Sequence, residues 1–232
     1  PPQYFPINAK INKEGYESLD TVLANGLKAL TVAAFKEQIT TFEPVILDTR
    51  NATLFTQGFI PGAISIGLEG RFAEFAGSIL PFDQAILLVC EPSTEKESIV
   101  RLARVGFENI IGHLAGGFDA WAKAGEPIDL IIDVEADELA MDLPFDPNMV
   151  IVDVRKTSEF DKGHIKEALT IPLDELTDPA SMANFDDNQN IYIHCAGGYR
   201  SVIASSLIKR QGIHNIRNVV GGFKAISELA DK

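Results

Sequence analysis

The segment Ile191–Ser201, IYIHCAGGYRS, combines residues that could carry out chemistry on sulfur or on a small anion. Its apolar beginning is typical of a buried strand, and this strand leads to Cys195. Gly197 and Gly198 follow and allow the backbone to turn several N–H groups toward one point. A helix that begins near Ser201 adds a partial positive charge at its N-terminus. We therefore expect Cys195 to be stabilised as a thiolate and to act as a nucleophile at neutral pH.

The spacing within this loop bears on which chemistry it supports. Four residues separate Cys195 from Arg200, whereas cysteine phosphatases place five residues between their cysteine and arginine. A tighter ring suits one extra sulfur atom on the cysteine better than a tetrahedral phosphate, although a phosphatase or arsenate reductase remains an alternative. Arg200 adds a charge and a planar fork that can hold an oxyanion. The residues expected to hold a persulfide or its anionic donor are Ala196, Gly197, Gly198, Tyr199, Arg200 and Ser201.

The pattern around this loop occurs twice in the chain. Val45–Arg50, VILDTR, matches Val150–Arg155, VIVDVR, at an offset of 105 residues, and Cys90 matches Cys195 at the same offset. A period of this length indicates a duplicated domain rather than a solenoid repeat. We predict a leader or linker over residues 1–26, a first domain over residues 27–127 and a second over residues 128–232.

Each half alternates short β-branched runs with amphipathic stretches. This alternation predicts an α/β fold in which each domain is a mostly parallel sheet flanked by helices on both faces. In the second half we predict strands at Val150–Val154, Ile191–His194 and Ile216–Val220, and helices at Glu135–Leu143, Ser201–Gln211 and Phe223–Leu229. Parallel sheets bind ligands at the carboxyl ends of their strands, where Asp153, Cys195 and Gly221 are expected to lie.

Composition and charge restrict the class of partner. The chain is 46% hydrophobic and 23% charged, which is typical of globular domains. Its net charge of −13 disfavours nucleic acid and anionic membrane surfaces as partners. Its two cysteines form no disulfide framework and no zinc motif, so we expect a reducing, cytoplasmic location and neither metal nor other cofactor.

The first residues lack the pattern of a signal peptide, and no apolar run approaches the ~18 residues that a membrane-spanning helix needs. Because the chain begins at Pro1 rather than Met, we expect it to be part of a longer protein.

Together these motifs resemble the rhodanese family of sulfurtransferases, in a tandem arrangement. The resemblance covers about residues 27–232. In the first half it rests on Gly116–Trp121 with Gly125 and Pro127. In the second half it rests on Asp153-Val154-Arg155, Glu159-Phe160, Gly163-His164-Ile165, the Cys195–Arg200 loop and Gly221-Gly222-Phe223.

The resemblance implies a two-step exchange at Cys195. Its thiolate would take a sulfane sulfur from thiosulfate or a low-molecular-weight persulfide, and its persulfide would pass the sulfur to a thiol or to cyanide. The loop amides would hold the persulfide anion, and Arg200 would orient an anionic donor. Asp153 and Arg155 are expected to support the site structurally, and His194 to be a packing residue that points away from the cysteine.

The leader provides a further resemblance. Residues 4–16, from Tyr4-Phe5-Pro6 to Gly15-Tyr16, resemble the connector in fusions of a metallo-β-lactamase-fold domain to tandem rhodaneses. Some of those fusions resemble persulfide dioxygenases. The resemblance implies such a domain as a partner of this chain, and the alternative role of a non-catalytic module that relays sulfur to it.

The first domain departs from the pattern. After Cys90 the loop reads EPSTEKE, in which Pro92 removes one amide donor and no glycine remains. Counted from the cysteine, Glu95 occupies the position of Arg200. We expect these glutamates to raise the pKa of the Cys90 thiol, and the first site to be catalytically inactive or weakly active.

The second domain departs from the pattern at one turn. The usual His-Ile-Pro-Gly-Ala is replaced by HIKEA at residues 164–168. We expect a local change of backbone there rather than a loss of chemistry.

Overall fold

The computed structural model describes residues 18–183, 185–186 and 188–230. These residues form two compact units. The first extends to Asp129, except that Thr56–Gly58 group with the second, and the second begins at Leu130. The leader motif at residues 4–16 lies outside the described residues.

The first unit contains a parallel sheet of five strands in the order β1-β5-β4-β2-β3. The strands are β1 Ala29–Leu30, β2 Val45–Asp48, β3 Ile64–Ser65, β4 Ile86–Val89 and β5 Ile110–Leu114. The helices are α1 Leu19–Gly26, α2 Val32–Phe42, α3 Ala52–Gln57, α4 Phe72–Ile79, α5 Glu95–Ala103 and α6 Gly117–Lys123.

The second unit repeats this topology with the strand order β6-β10-β9-β7-β8, again parallel. The strands are β6 Ile132–Val134, β7 Met149–Asp153, β8 Leu169–Thr170, β9 Asn190–His194 and β10 Ile216–Val219. The helices are α7 Ala136–Asp142, α8 Thr157–Phe160, α9 Pro179–Met182, α10 Tyr199–Arg210 and α11 Gly222–Ala230, with a 3₁₀ helix at Leu173–Thr177. The predicted α/β class is therefore confirmed.

The central strands are continuous apolar runs, which favours their burial in the middle of the sheet. Every residue of β2 and of β4 is buried, as expected of parallel strands covered on both faces. Strand β7 pairs with β9 from Met149 opposite Asn190 to Asp153 opposite His194. This register brings the end of β7 next to the end of β9, directly before Cys195.

Helix α10, which follows the cysteine loop, is buried along most of its length. Residues 201–209 are all buried, although three of them, Ser201, Ser205 and Ser206, are serines. The hydroxyls of Ser205 and Ser206 donate to the backbone carbonyls of Ser201 and Ile203, at 2.8 and 2.7 Å. These bonds satisfy the buried hydroxyls, so a helix with serines can lie deep in the unit and hold the loop in place.

The predicted strands and helices of the second half are all present, with bounds that differ by one or two residues. Several elements of the second unit were not predicted, among them β6, β8 and the 3₁₀ helix that follows β8. Helix α1 lies within the region assigned to the leader. The Ser18 side chain caps α1 by accepting from the Thr21 amide, and the helix packs against β5 and α5 of the first unit. Among the described residues, every helix is too short or too polar to cross a membrane.

Candidate active site

The Cys195 sulfur lies at the start of a long helix. Strand β9 ends at His194, and α10 begins at Tyr199 with Gly198 as its N-cap at φ +104°. The left-handed conformation of Gly198 turns its amide inward, and this N–H donates to the Cys195 sulfur at 3.1 Å. The Cys195 thiol donates to the Ser201 hydroxyl at 3.6 Å, and this hydroxyl donates to the Gly198 carbonyl at 3.1 Å. The sulfur therefore lies against one amide donor at the N-terminus of a twelve-residue helix, the end of a helix at which anions bind favourably.

The Cys195 side chain is buried, and the loop that follows it is partly exposed. Cys195 is only 1% exposed, whereas Ala196 and Gly197 are exposed. The structure therefore brings together Cys195, Gly198 and Ser201, and places the two exposed loop residues at the surface beside them. The roles of all of these residues toward a substrate stay predictions.

Helix α11 is bound to the cysteine loop by two backbone hydrogen bonds. The Phe223 amide donates to the Cys195 carbonyl at 2.6 Å, and the Lys224 amide donates to the Ala196 carbonyl at 3.1 Å. Gly221 and Gly222 make the turn before them at φ +71° and +57°. A Cβ on Gly222 would collide with the Cys195 carbonyl, so only glycine permits this approach. This geometry is a tight turn from strand β10 into helix α11.

Arg200 forms a bidentate ion pair. Its two terminal nitrogens donate to the Glu159 carboxylate at 2.7 and 2.8 Å. Mainly because of this pairing, the pKa of Glu159 falls from 4.5 to about 2, and the pKa of Arg200 rises. Glu159 also accepts the Lys156 amide at the start of α8. The pair joins α8 to α10, and a direct contact between Arg200 and a donor stays a prediction.

Asp153 and Arg155 form a buried support below the loop. Asp153 is fully buried and Arg155 is 5% exposed. The Arg155 guanidinium donates to both oxygens of Asp153 at 2.6–2.9 Å and to the Gly163 carbonyl at 2.7 Å. Its central carbon also lies 3.9 Å from the centre of the Phe223 ring, a cation–π contact. One guanidinium thus joins the end of β7, the loop at residue 163 and the first turn of α11.

His194 packs in the same layer. It is fully buried, with Nε2 3.8 Å from Asp153 Oδ2 and the ring 6.1 Å from that of Phe223. Burial lowers the pKa of His194, which favours the neutral ring. The contacts are those of a packing residue. Among the described residues, no group of three or more His, Cys, Asp or Glu side chains could hold a metal ion.

The corresponding cysteine of the first unit has different surroundings. Cys90 is 5% exposed, and its sulfur lies 3.6 Å from the Ser98 hydroxyl. The pKa of the Cys90 thiol is raised from 9.0 to about 11, first by burial and then by the charges of Glu95 and Asp48. The predicted direction is confirmed, but burial outweighs the glutamates.

Counting from the cysteine misaligned the two loops. The serine that contacts the sulfur is Ser98 in the first unit and Ser201 in the second, eight and six residues after the cysteine. The residue before that serine, which takes the place of Arg200, is therefore Glu97 rather than Glu95. Glu97 pairs with Arg101 at 3.2 Å. The first loop is longer by one residue, since four residues separate Cys90 from α5 and three separate Cys195 from α10, and Ser98 lies one position further into its helix than Ser201.

The turn at residues 164–168 keeps the conformation of its counterpart in the first unit. Ala168 donates to the Ile165 carbonyl at 3.1 Å, as Ala63 donates to that of Ile60 at 2.9 Å. Glu167 adopts φ +66°, in the left-handed region, where the first unit has Gly62 at φ +82°. The expected change of backbone is therefore wrong. The turn is retained, and Glu167 is held in a conformation that favours glycine.

Comparison with protein families agrees with this geometry. The family described as "Rhodanese-like domain" matches residues 31–124 and again residues 135–229. The chain therefore belongs to the rhodanese-like domain family and contains two copies of the domain.

Three similar proteins illustrate the range of the family. YrkF of Bacillus subtilis (strain 168), named as a proposed sulfur carrier protein, is 39% identical over 79 residues, which are 34% of this chain and 42% of YrkF. A tRNA uridine(34) hydroxylase of Pectobacterium carotovorum subsp. carotovorum (strain PC1) is 25% identical over 228 residues, 91% of this chain and 62% of the hydroxylase. The crystal structure of a rhodanese-like domain protein from Staphylococcus aureus is 36% identical, with a TM-score of 0.38, and the match covers 41% of this chain and 91% of that one. This chain thus spans less than half of YrkF and less than two thirds of the hydroxylase.

Proposed function

We propose that the chain is a sulfurtransferase in which Cys195 carries a sulfane sulfur as a persulfide. The observation that carries this proposal is the hydrogen bond from the Gly198 amide to the Cys195 sulfur, at the N-terminus of α10. Membership of the rhodanese-like domain family supports it. The same positive end of α10 would stabilise the terminal sulfur of a persulfide, which is an anion.

The exchange has two displacement steps. In the first, the Cys195 thiolate attacks the outer sulfur of thiosulfate, an S–S bond forms to Cys195, and sulfite leaves with the electron pair of the broken S–S bond. With a low-molecular-weight persulfide as donor, a thiolate leaves instead. In the second step, a thiolate or cyanide attacks the outer sulfur, and Cys195 leaves as the thiolate. The two steps balance without an external oxidant or reductant.

The partners in this proposal are small. The donor is a sulfur-containing anion or persulfide, and the acceptor is a thiol. Both cysteines are free and buried, which fits our proposal of a cytoplasmic location. A metallo-β-lactamase-fold domain stays a proposed partner of a longer protein.

A second candidate function is that of a sulfur carrier, which is supported by the similarity to YrkF. A carrier would load on Cys195 in the same way but release its sulfur to a protein thiol rather than to a small acceptor. Phosphatase activity is a weaker candidate, because Glu159 engages both terminal nitrogens of Arg200, the group that would hold a phosphate.

The test is the intact mass of the protein after incubation with thiosulfate and, separately, with glutathione persulfide. We expect a gain of one sulfur atom in the wild type and in Cys90→Ser, none in Cys195→Ser, and loss of the added sulfur on treatment with a thiol or cyanide. The Cys90→Ser variant is the matched control, because it removes the other cysteine of the chain. Loading that persists in Cys195→Ser, or no loading from either donor with Cys195 reduced, would overturn the proposal.

A further inference from the structure

The second unit has an apolar groove that shares no residue with the site around Cys195. It lies between α7 and α11 and has a volume of about 310 Å³. Its walls are aliphatic, and include Leu139, Ala140 and Leu143 from α7, Ile151 from β7, and Ile226 and Leu229 from α11. We call it the α7–α11 groove. Its volume lies at the lower end of the range of binding pockets.

The floor of the groove belongs to the core, but its rim is open. Leu139 and Ile151 are 3% and 6% exposed and form part of the core cluster of the unit. Leu143 is 48% exposed, and Ala140 is exposed beside it. On α7 the lining residues are spaced as a helical stripe, at positions 136, 139, 140 and 143. An apolar stripe at this spacing, at the edge of another helix, is the surface against which a further helix packs.

The charge along α7 is one-sided. From β6 to the start of β7, over residues 132–149, the sequence contains six Asp and Glu residues and neither Lys nor Arg. Glu135, Asp137, Glu138 and Asp142 are all exposed on or next to α7. Within the part of the chain that the structure describes, none of these four carboxylates pairs with a Lys or Arg. The other wall, α11, carries one charge of each sign, Lys224 and Glu228, and the turn that supplies the lining residue Ile165 carries the exposed pair Lys166 and Glu167. The groove is therefore apolar inside and acidic along the α7 rim.

We propose that the α7–α11 groove binds an amphipathic helix of a partner protein that has aliphatic anchors at i, i+3 or i+4 and i+7, flanked by Lys and Arg. The aliphatic walls would take the anchors, as in other helix-in-groove complexes. The acidic rim would pair with the basic flanks and speed the encounter at low salt. The charge argues against two other occupants. A second copy of this chain carries the same net charge of −13, and an anionic membrane surface would be repelled by the rim.

The probe for this proposal is a synthetic helical peptide with leucine on one face and lysine on the other, labelled with a fluorophore. Two control peptides are a scrambled sequence of the same composition and a version with glutamate in place of lysine. Binding is measured by fluorescence anisotropy on the full chain, at low and at high salt. We expect the basic amphipathic peptide to bind more tightly than either control, and its affinity to fall as salt is raised.

Two variants of α7 locate the binding. Ala140→Arg and Met141→Arg place the same charge at neighbouring exposed positions, but only residue 140 lines the groove. We expect Ala140→Arg to weaken binding by roughly tenfold or more, as for the loss of a central anchor site, and Met141→Arg to weaken it by less than about threefold. Circular dichroism and sulfur loading on Cys195 should be unchanged in both, so the outcome is independent of the proposed sulfur transfer.

Several results would overturn the proposal. Equal binding to both variants would show a non-specific attraction between a basic peptide and an acidic protein. Equal binding of the scrambled peptide would remove the amphipathic requirement. Wild-type dimers that Ala140→Arg dissociates would assign the groove to a second copy of this chain. Binding to anionic vesicles without binding of the peptide would assign it to a membrane surface.

Discussion

Replacement of Gly222 by alanine tests whether the approach of α11 to the cysteine loop is needed for sulfur transfer. Gly222 has φ +57°, and an added Cβ would lie closer to the Cys195 carbonyl oxygen than real Cβ atoms approach, and 3.0 Å from the Ala196 carbonyl carbon. The Phe223 amide next to it donates to that same carbonyl at 2.6 Å. The methyl group can be accommodated only if α11 or the loop moves, and the movement begins at the residue that carries the sulfur.

The cost can be estimated from three contributions. Left-handed backbone costs a non-glycine residue about 1–2 kcal/mol. Inserting a methyl group into a packed contact costs about 1–3 kcal/mol. Against these, alanine loses less backbone entropy than glycine on folding, a gain of about 0.4–1 kcal/mol. We therefore expect Gly222→Ala to lower the free energy of unfolding by about 1–5 kcal/mol, with a central value of about 3 kcal/mol, and the melting temperature by on the order of 10 °C.

The chain supplies a matched control in Gly117 of the first unit. Gly117 has φ +59°, and its added Cβ would lie 2.8 Å from the Cys90 carbonyl. Gly117→Ala should therefore destabilise the protein by a similar mechanism, although by less. The rate of sulfur loading, followed by intact mass well below both melting temperatures, should fall about 10²-fold in Gly222→Ala, because a displacement of about 1 Å has an effect of that size. It should stay near the wild-type rate in Gly117→Ala.

Two results would refute this reasoning. Normal loading in a folded Gly222→Ala protein would show that the contact between α11 and the loop does not position Cys195. A similar loss of loading in Gly117→Ala would show that the activity depends on the first unit or on global stability. A fall in stability alone, in either variant, would not account for a selective effect on the rate.

Three further predictions concern charge and conformation. Because the pKa of Glu159 falls to about 2 on folding, its pair with Arg200 stabilises the protein fully above pH 4.5, and this contribution is lost as the pH falls toward 2. Glu159→Gln should flatten this pH dependence and cost about 1 kcal/mol at neutral pH after solvent screening. If the free energy of unfolding, measured in urea, depended on pH in the variant as it does in the wild type, the prediction would be contradicted. Glu167→Gly should stabilise the second unit by about 0.5–1 kcal/mol while Gly62→Ala destabilises the first by about 1 kcal/mol, and urea unfolding should give these opposite signs. Cys90, with its pKa raised to about 11, should resist iodoacetamide at neutral pH until the protein is unfolded in urea, and modification in the native state at the rate of a free thiol would show the burial to be wrong.

The strands that position the site could be predicted because the composition of each run and the residues at its end indicate the same structure. Strands β7, β9 and β10 are short β-branched runs bounded by Asp153, Cys195 and the Gly221-Gly222 pair, and each of these boundaries has a physical reason to end a strand. Helix α1 could not be assigned to the first unit in this way. Its burial depends on the close approach of Gly26 to the Ile99 side chain of α5, a contact between residues far apart in sequence.

The candidate site, too, could be predicted only in part from the sequence. The glycines and the cysteine were predicted from local pattern, because the loop and the helix that follows are continuous in sequence. The Arg200–Glu159 pair was not, because an arginine in such a loop can equally face a substrate and its partner lies 41 residues away. The register of the Cys90 loop was also missed, since counting residues from the cysteine does not reveal how many of them precede the serine that contacts the sulfur.

A comparison of the two units distinguishes residues that support the loop structurally from residues that act on the sulfur. In the first unit Arg50 donates to Asp48 and lies 4.3 Å from the centre of the Phe118 ring, the same arrangement as at Asp153, Arg155 and Phe223. This arrangement therefore forms in both units, including beside a cysteine whose pKa is raised to about 11, so it does not depend on a reactive thiolate.

What differs between the units is the loop itself and the ion pair beside it. Gly198 and Arg200 have no equivalents after Cys90, and at the repeat offset the position of Glu159 is occupied by Leu54, which is 42% exposed. Both members of the ion pair are therefore absent from the unit that lacks the amide-lined loop. Their joint absence indicates that the Arg200–Glu159 pair serves the loop rather than the sheet, so its removal should affect sulfur loading more than the fold.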